Sequence, residues 1–101
     1  MSKIKLPRPD NTTRWTIYGA SSWCGSCRRV KAFLDKKQEE YTYYELGNDM
    51  NEVRKFIESF SDITNGNTKV PMVFHFGQFI EGGCAGTIKL YKLQYSGNPL
   101  I

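Results

Sequence analysis

The chain of 101 residues has few of the groups that mark several large classes of protein. It has only three cysteines and one histidine, and an odd, low cysteine count argues against the disulfide framework of a small secreted domain. No apolar run reaches the roughly 18 residues that a membrane span needs. Residues 1–7 lack the apolar centre of a secretion signal, so we expect a reducing, cytoplasmic compartment.

The composition predicts one globular domain with a core of its own. Hydrophobic residues make up 40% of the chain and aromatic residues 14%, which is enough to bury a core without disulfide staples. The net charge of +4 is mild, and the basic residues are scattered without interleaved aromatics. We therefore expect a monomer with no nucleic-acid and no membrane partner.

One motif carries the chemistry, and its sequence is Trp-Cys-Gly-Ser-Cys at residues 23–27. The preceding run predicts a strand at 14–19 and the following run predicts a helix at 28–37. Unpaired amides and the dipole at a helix N-terminus stabilise an anion, which favours the thiolate of Cys24. Arg28, four residues later, adds positive charge on the same side. We predict that Cys24 is the nucleophile and that Cys27 is the resolving thiol.

Other interpretations of the cysteines use the same few residues. A zinc site would need Cys24, Cys27, Cys84 and His75 together, which is every Cys and His in the chain. A purely structural disulfide across four residues would constrain little of the unfolded chain. We interpret Cys84 as a small buried hydrophobe, with glutathionylation as the alternative, and His75 as a structural residue within a strand.

Hydrophobic periodicity and turn residues predict the remaining elements. The predicted strands lie at 14–19, 41–46, 72–76 and 79–81, and the predicted helices at 28–37, 50–60 and 84–95. Asp49 and Glu52 resemble a capping box, and residues 61–68 are predicted to form a polar loop. Gly77 would take the first position of a type II′ turn. We divide the chain into an irregular, solvated arm at 1–13 and one domain at 14–101.

Three motifs in this order resemble those of the glutaredoxin family, over about residues 14–95. They are the Cys-Gly-Ser-Cys motif, the stretch Lys-Val-Pro-Met-Val-Phe at 69–74, and the stretch Phe-Ile-Glu-Gly-Gly-Cys at 79–84. The resemblance implies an α/β thioredoxin fold of order β-α-β-α-β-β-α. In that fold three helices flank a four-stranded mixed sheet, with the first two strands parallel and the last two antiparallel.

The resemblance also implies a glutathione-binding groove. Pro71 would be cis and would place the Val70 backbone beside Cys24, and the N-terminus of the last helix would receive a glutathione carboxylate. The glycine pair at 82–83 would let a ligand backbone approach closely. The residues implied to bind glutathione are Ser26, Lys69, Val70, Pro71, Gly83 and Cys84.

From the family we expect a glutathione-dependent thiol–disulfide oxidoreductase, with glutathione as reductant and no metal. Its partners would be disulfide-containing or glutathionylated proteins. The chain departs from the family pattern at Ser21, Ser26 and the pair Ala85 and Gly86, where the family often has a cation, an aromatic and a polar pair. The weakened glutathione contacts, and the small residues Gly25 and Ser26 within the motif, keep two alternatives open. One is a thioredoxin-like reductant fed by a flavoprotein reductase, and the other is a module in which two protomers hold a [2Fe–2S] cluster through Cys24 and glutathione.

Overall fold

In the computed structural model, which describes residues 3–95, a four-stranded mixed sheet lies between two layers of helices. The strands are β1 (Trp15–Gly19), β2 (Thr42–Glu45), β3 (Met72–His75) and β4 (Gln78–Ile80), and the helices are α1 (Gly25–Lys36), α2 (Met50–Ser59), α3 (Ser61–Thr64) and α4 (Gly83–Gln94). The strand order is β2-β1-β3-β4. β1 pairs parallel with β2 and antiparallel with β3, and β3 pairs antiparallel with β4. The predicted fold class is confirmed.

The two faces of the sheet carry separate hydrophobic clusters, because side chains alternate along each strand. On one face Ile17 and Val73 pack with Val30 of α1 and Tyr91 of α4. On the other face the buried residues come mainly from the sheet and α2, and they include Tyr18, Met72, Phe74, Val53, Phe56 and Phe60. The start of α1 and the start of α4 are thus held on the same face of the sheet.

The structure adds a fourth, short helix where the sequence predicted a polar loop at 61–68. α3 forms because Thr64 is buried and its hydroxyl donates a hydrogen bond to the Phe60 carbonyl at 3.0 Å. It ends at Asn65, whose φ of 56° is left-handed. The expectation of three flanking helices is corrected to three long helices and this one turn.

The hairpin between β3 and β4 has a different turn from the one predicted. His75 pairs with Gln78, so Phe76 and Gly77 are the two turn residues, with φ of 51° and 81°. Two left-handed residues define a type I′ turn, so the type II′ prediction was wrong. The I′ geometry matches the twist of the flanking strands, and this outweighs the strain at Phe76.

The arm at 3–13 has no regular structure. It packs against the domain, whereas the sequence predicted a solvated arm. Ile4 and Leu6 pack against the cluster beneath α2. The Tyr18 hydroxyl donates a hydrogen bond to the Pro7 carbonyl at 2.5 Å, and Arg8 pairs with Asp62 at 2.7 Å. The predicted end of the last helix near residues 96–99 lies outside the described residues. Within residues 3–95, no helix has the length and apolar character to cross a membrane.

Candidate active site

The first cysteine is the residue that begins α1. Cys24 is the N-cap, with extended φ and ψ of −104° and 104°, and its Sγ accepts a hydrogen bond from the Cys27 amide at 3.1 Å. The helix therefore begins at Gly25 rather than at residue 28 as predicted, because the cysteine itself provides the cap. A sulfur at this position receives amide hydrogen bonds and the positive end of the helix dipole, which stabilise a thiolate.

The two cysteines form a disulfide, with Cα atoms 5.3 Å apart. Cys24 is 8% exposed and Cys27 is fully buried. The Ala20 amide donates a hydrogen bond to Cys27 Sγ at 3.4 Å. Because only Cys24 reaches the surface, an incoming disulfide would meet Cys24 first, in keeping with the predicted roles.

The loop before β3 lies against Cys24. The Val70–Pro71 peptide bond is cis, and the Val70 carbonyl oxygen is 3.9 Å from Cys24 Sγ. Both features confirm what the resemblance implied about this loop. A backbone edge beside the reactive sulfur can pair with an extended ligand.

The glycine pair is needed for the packing of the chain itself, and its predicted role in admitting a ligand backbone stays a prediction. Gly82 and Gly83 have φ of 91° and 54°, where side chains are disfavoured. A Cβ on Gly83 would lie 3.3 Å from both Cδ and O of Pro71. Gly83 thus allows the start of α4 to pack against the cis-proline loop, while a Cβ on Gly82 would lie 3.2 Å from the Gly86 amide nitrogen within α4.

Gly86 explains one departure from the family pattern. A Cβ at this position would overlap the Glu81 carbonyl oxygen, while the Gly86 amide donates to the Gly82 carbonyl at 3.2 Å. In this chain α4 approaches Glu81 so closely that no side chain fits at 86. The polar residue common in the family would require α4 to shift.

All six residues predicted to bind glutathione line one open groove of about 820 Å³ between α1, the cis-proline loop and the start of α4. We call it the basic groove, and its remaining lining residues are Arg29, Ala32, Phe33, Lys36, Asn67, Gly82, Ala85 and Ile88. Its volume is in the range of small-molecule sites. The predicted residues are thus brought together, and their roles in binding stay a prediction.

The basic groove has an uneven charge. Arg29, Lys36 and Lys69 line it, and none of its described lining residues is acidic. Arg29 donates a hydrogen bond to Ser26 Oγ at 3.0 Å. Arg29 and Lys36 were not among the residues predicted to line the groove, although both lie with Ser26 and Phe33 at spacings of three and four along α1.

A second groove, of about 350 Å³, lies on the other side of the Val70 loop and contains Cys24. We call it the apolar groove, and it is lined by Trp23, Cys24, Met50, Val53, Arg54, Ile57, Thr68, Lys69 and Val70. Trp23 and Met50 are 39% and 50% exposed. Two of the large hydrophobic side chains that the described chain exposes therefore flank its reactive cysteine.

Arg28 lies in α1, and its side chain reaches back to the turn that precedes the Cys-Gly-Ser-Cys motif. Its Nη1 donates a hydrogen bond to the Ser21 carbonyl at 2.6 Å, so the guanidinium bridges α1 and the start of the β1–α1 loop. The positive charge thus stays near the start of α1. Its activation of Cys24 remains a prediction.

The four residues of the alternative zinc site are not brought together as one group. Within the described part of the chain, no group of three or more His, Cys, Asp or Glu side chains is placed to hold a metal ion. His75 instead lies 2.8 Å from the Tyr95 hydroxyl through Nε2 and contacts the Trp15 ring. Burial lowers the pKa of His75 below its usual value, which fits a neutral structural residue.

Comparisons with known proteins agree with this geometry. The family model described as Glutaredoxin matches residues 15–80. Among solved structures, oxidized glutaredoxin 2 from Chlamydomonas reinhardtii is 26% identical, with a TM-score of 0.64, and the match covers 82% of this chain and 75% of that one. A buckwheat glutaredoxin–glutathione complex is 25% identical, with a TM-score of 0.61 and coverage of 81% and 71%.

A more distant structure shows the fold alone. The dithiolic glutaredoxin 2-C-Grx1 from Trypanosoma brucei brucei is 22% identical, with a TM-score of 0.64, over 82% of this chain and 81% of that one. No curated protein matches the chain.

Proposed function

The chain belongs to the glutaredoxin family and is a thiol–disulfide oxidoreductase, and from this premise we propose that glutathione is its reductant. The observation that carries the proposal is the basic groove, because a cationic groove beside Cys24 fits a peptide with carboxylates at both ends. The substrates would be protein disulfides and glutathionylated thiols. A reducing compartment such as the cytoplasm would supply the glutathione.

The first step takes place at Cys24. The Cys24 thiolate attacks one sulfur of the substrate disulfide, a bond forms between the two sulfurs, and the other substrate sulfur leaves as a thiolate. The Cys27 amide, 3.1 Å from Cys24 Sγ, stabilises the attacking thiolate, and Arg28 adds positive charge nearby. This leaves a mixed disulfide between Cys24 and the substrate.

The second step depends on the substrate. With a protein partner, the Cys27 thiolate attacks Cys24 Sγ, closes the disulfide seen here and releases the reduced protein. With a glutathionylated thiol, glutathione itself attacks the Cys24 mixed disulfide and leaves as glutathione disulfide. Glutathione also reduces the Cys24–Cys27 disulfide after a protein reaction.

Exchange kinetics of two cysteine variants test these roles. We expect Cys24→Ser to lower the rates with glutathionylated peptide and with protein disulfide by roughly a thousandfold or more, since the nucleophile is gone. Cys27→Ser should lose protein-disulfide reduction and retain deglutathionylation. If Cys24→Ser keeps most of the activity, Cys24 is not the nucleophile.

The same reagents separate the two alternative functions. A thioredoxin-like reductant would turn over with a flavoprotein reductase and fail with glutathione alone. A cluster-binding module would become coloured on anaerobic reconstitution with iron and sulfide. A colourless protein that turns over with glutathione alone would exclude both alternatives.

A further inference from the structure

The basic groove presents positive charge from both of its long walls. Arg29 and Lys36 extend from α1 and Lys69 from the cis-proline loop, and the described residues that line the groove include no Asp or Glu. The start of α4 continues this pattern, because its first turn has no acidic residue and no side chain caps it. The first amides of a helix lack acceptors within the helix. A ligand in the groove therefore meets cations and N–H donors.

Arg29 is held beside the Cys-Gly-Ser-Cys motif. Its Nη2 donates a hydrogen bond to Ser26 Oγ at 3.0 Å, and a Cβ on Gly25 would lie 3.4 Å from its Nη1. The guanidinium thus lies over the first turn of α1, close to the reactive end of the groove. A guanidinium positioned in this way can bind a carboxylate through two parallel hydrogen bonds.

Two oxygens that could accept a hydrogen bond from a ligand ammonium already have donors. Ser26 Oγ accepts from Arg29, and the Lys69 carbonyl accepts from the Asn67 amide at 2.7 Å. Glu81, which precedes the glycine pair, lines a neighbouring cleft and does not line the basic groove. An ammonium in the groove would therefore lie among cations without a carboxylate to pair with.

These charges define which parts of a glutathione molecule the groove can recognise. At neutral pH glutathione carries two carboxylates and one ammonium. We propose that the basic groove recognises the two carboxylates and does not recognise the ammonium. Its substrates are then small thiols with two carboxylates, with or without an amino group. This inference rests on the proposed function, and it names the class of thiol that the same site accepts.

The reacting step is the same for every thiol of this class. The Cys24 thiolate attacks the sulfur of the small thiol in its disulfide with a protein. A bond forms between Cys24 Sγ and that sulfur, the original disulfide bond breaks, and the protein sulfur leaves as a thiolate that takes a proton from water. Cys24 is oxidised and the protein thiol is reduced. The groove contributes by holding the small thiol, so the ligand's charges affect the rate through binding.

A set of three disulfides tests the inference in the Cys27→Ser protein, which stops at the Cys24 mixed disulfide. One peptide is linked to glutathione, to deaminoglutathione, in which hydrogen replaces the amino group, or to glutathione whose glycine carboxylate is an amide. Formation of the Cys24 adduct is followed at neutral pH by rapid quench and mass spectrometry. Each rate constant is divided by that of the same disulfide with free mercaptoethanol, which corrects for intrinsic reactivity.

The expected order of rates follows from the charges. The deaminoglutathione disulfide should react at least as fast as the glutathione disulfide, and up to about fivefold faster, because repulsion of the ammonium is removed. The amidated disulfide should react about threefold to fivefold more slowly than the glutathione disulfide, because one exposed charge contact is lost.

A new carboxylate in the groove should create the missing recognition. Ala85 is exposed and lines the groove in the first turn of α4. In Ala85→Asp we expect the preference for glutathione over deaminoglutathione to rise about threefold to fivefold. Ala85→Asn, which has nearly the same size and no charge, should keep the ratio of the parent protein. Glu81→Gln should also keep that ratio, since this carboxylate lies outside the groove.

The outcomes separate failure of the inference from failure of the proposed function. A deaminoglutathione disulfide that reacts more slowly than the glutathione disulfide by about twofold or more would overturn the inference, and loss of that difference in Glu81→Gln would identify Glu81 as the partner of the ammonium. An amidated disulfide as fast as the glutathione disulfide would overturn recognition of both carboxylates. A glutathione disulfide no faster than a mercaptoethanol disulfide of the same peptide would instead overturn the proposed function.

Discussion

The two grooves beside the Val70 loop share Lys69 and Val70 but differ in chemistry. The basic groove carries Arg29 and Lys36 from α1, and the apolar groove carries Trp23 and Met50 with Cys24 between them. One suits a small anionic ligand and the other suits a side chain from a protein surface. Under the proposed function, this difference would let one cysteine exchange with two kinds of thiol, each approaching from its own side.

Of the changes that separate the two grooves, removal of the charge of the basic groove is expected to have the largest effect. In the triple variant Arg29→Gln, Lys36→Gln and Lys69→Gln, we expect KM for glutathione to rise about tenfold to a hundredfold. Arg29, Lys36 and Lys69 are exposed, and three such charge contacts, each contributing up to roughly 1 kcal/mol, give this range. Steady-state deglutathionylation at two salt concentrations measures it, because the wild-type KM should rise with salt and that of the variant should not.

A variant outside the basic groove controls for the loss of a positive charge near Cys24. Arg54 lines only the apolar groove, so Arg54→Gln removes a cation near Cys24 without entering the basic groove. A triple variant with wild-type KM for glutathione, or an Arg54→Gln variant with the same defect, would contradict the assignment of the ligand to this groove.

A smaller effect is expected in the apolar groove. Met50→Ser should raise KM for a protein disulfide a few-fold and leave KM for glutathione unchanged, because it removes about 1 kcal/mol of apolar contact with a protein partner. Leu93→Ser is the matched control, since Leu93 is 75% exposed on α4 and lines neither groove. Equal behaviour of the two variants would show that the apolar groove does not contact protein substrates.

The smallest effect concerns a residue outside both grooves. Burial lowers the pKa of His75 below its ordinary value of about 6.5, so the unfolded chain binds this proton more readily than the folded one. The stabilising contribution of neutral His75 is therefore complete above pH 6.5 and is lost as the pH falls below 6.5. Urea unfolding at pH 5 and pH 7.5 should show a smaller difference for His75→Gln than for wild type, with both KM values unchanged at pH 7.5. An equal difference would show that His75 does not titrate between the two states.

The sequence predicted the elements that have strong periodicity and the site residues that lie in motifs. The amphipathic helix α2 followed from the three- and four-residue spacing of its apolar residues. The parallel pairing of β1 with β2 and the antiparallel pairing of β3 with β4 followed from the helix and the tight turn that connect them. The six groove residues were recognised because the motifs recur in order. Arg29 and Lys36 were missed because a helix surface becomes a groove wall only once α4 packs beside it.

Other features depended on contacts that no local pattern records. The arm packs against the domain because the Tyr18 hydroxyl donates a hydrogen bond to the Pro7 carbonyl. Helix α3 forms because Thr64 is buried. Positions 19 and 86 have no room for a side chain, because Cys27 Sγ lies against Gly19 and the Glu81 carbonyl oxygen lies against Gly86. Such contacts join residues distant in sequence, so they become visible only in the folded chain.

The central claim is glutathione dependence, and one measurement tests it most directly. The purified protein would be given a glutathionylated peptide with glutathione as its only electron source, and initial rates would be recorded over a grid of both concentrations. We predict rapid turnover with the parallel double-reciprocal lines of a ping-pong mechanism, since Cys24 alternates between thiolate and glutathione mixed disulfide. Negligible turnover by folded protein with a free Cys24 thiol would contradict the claim.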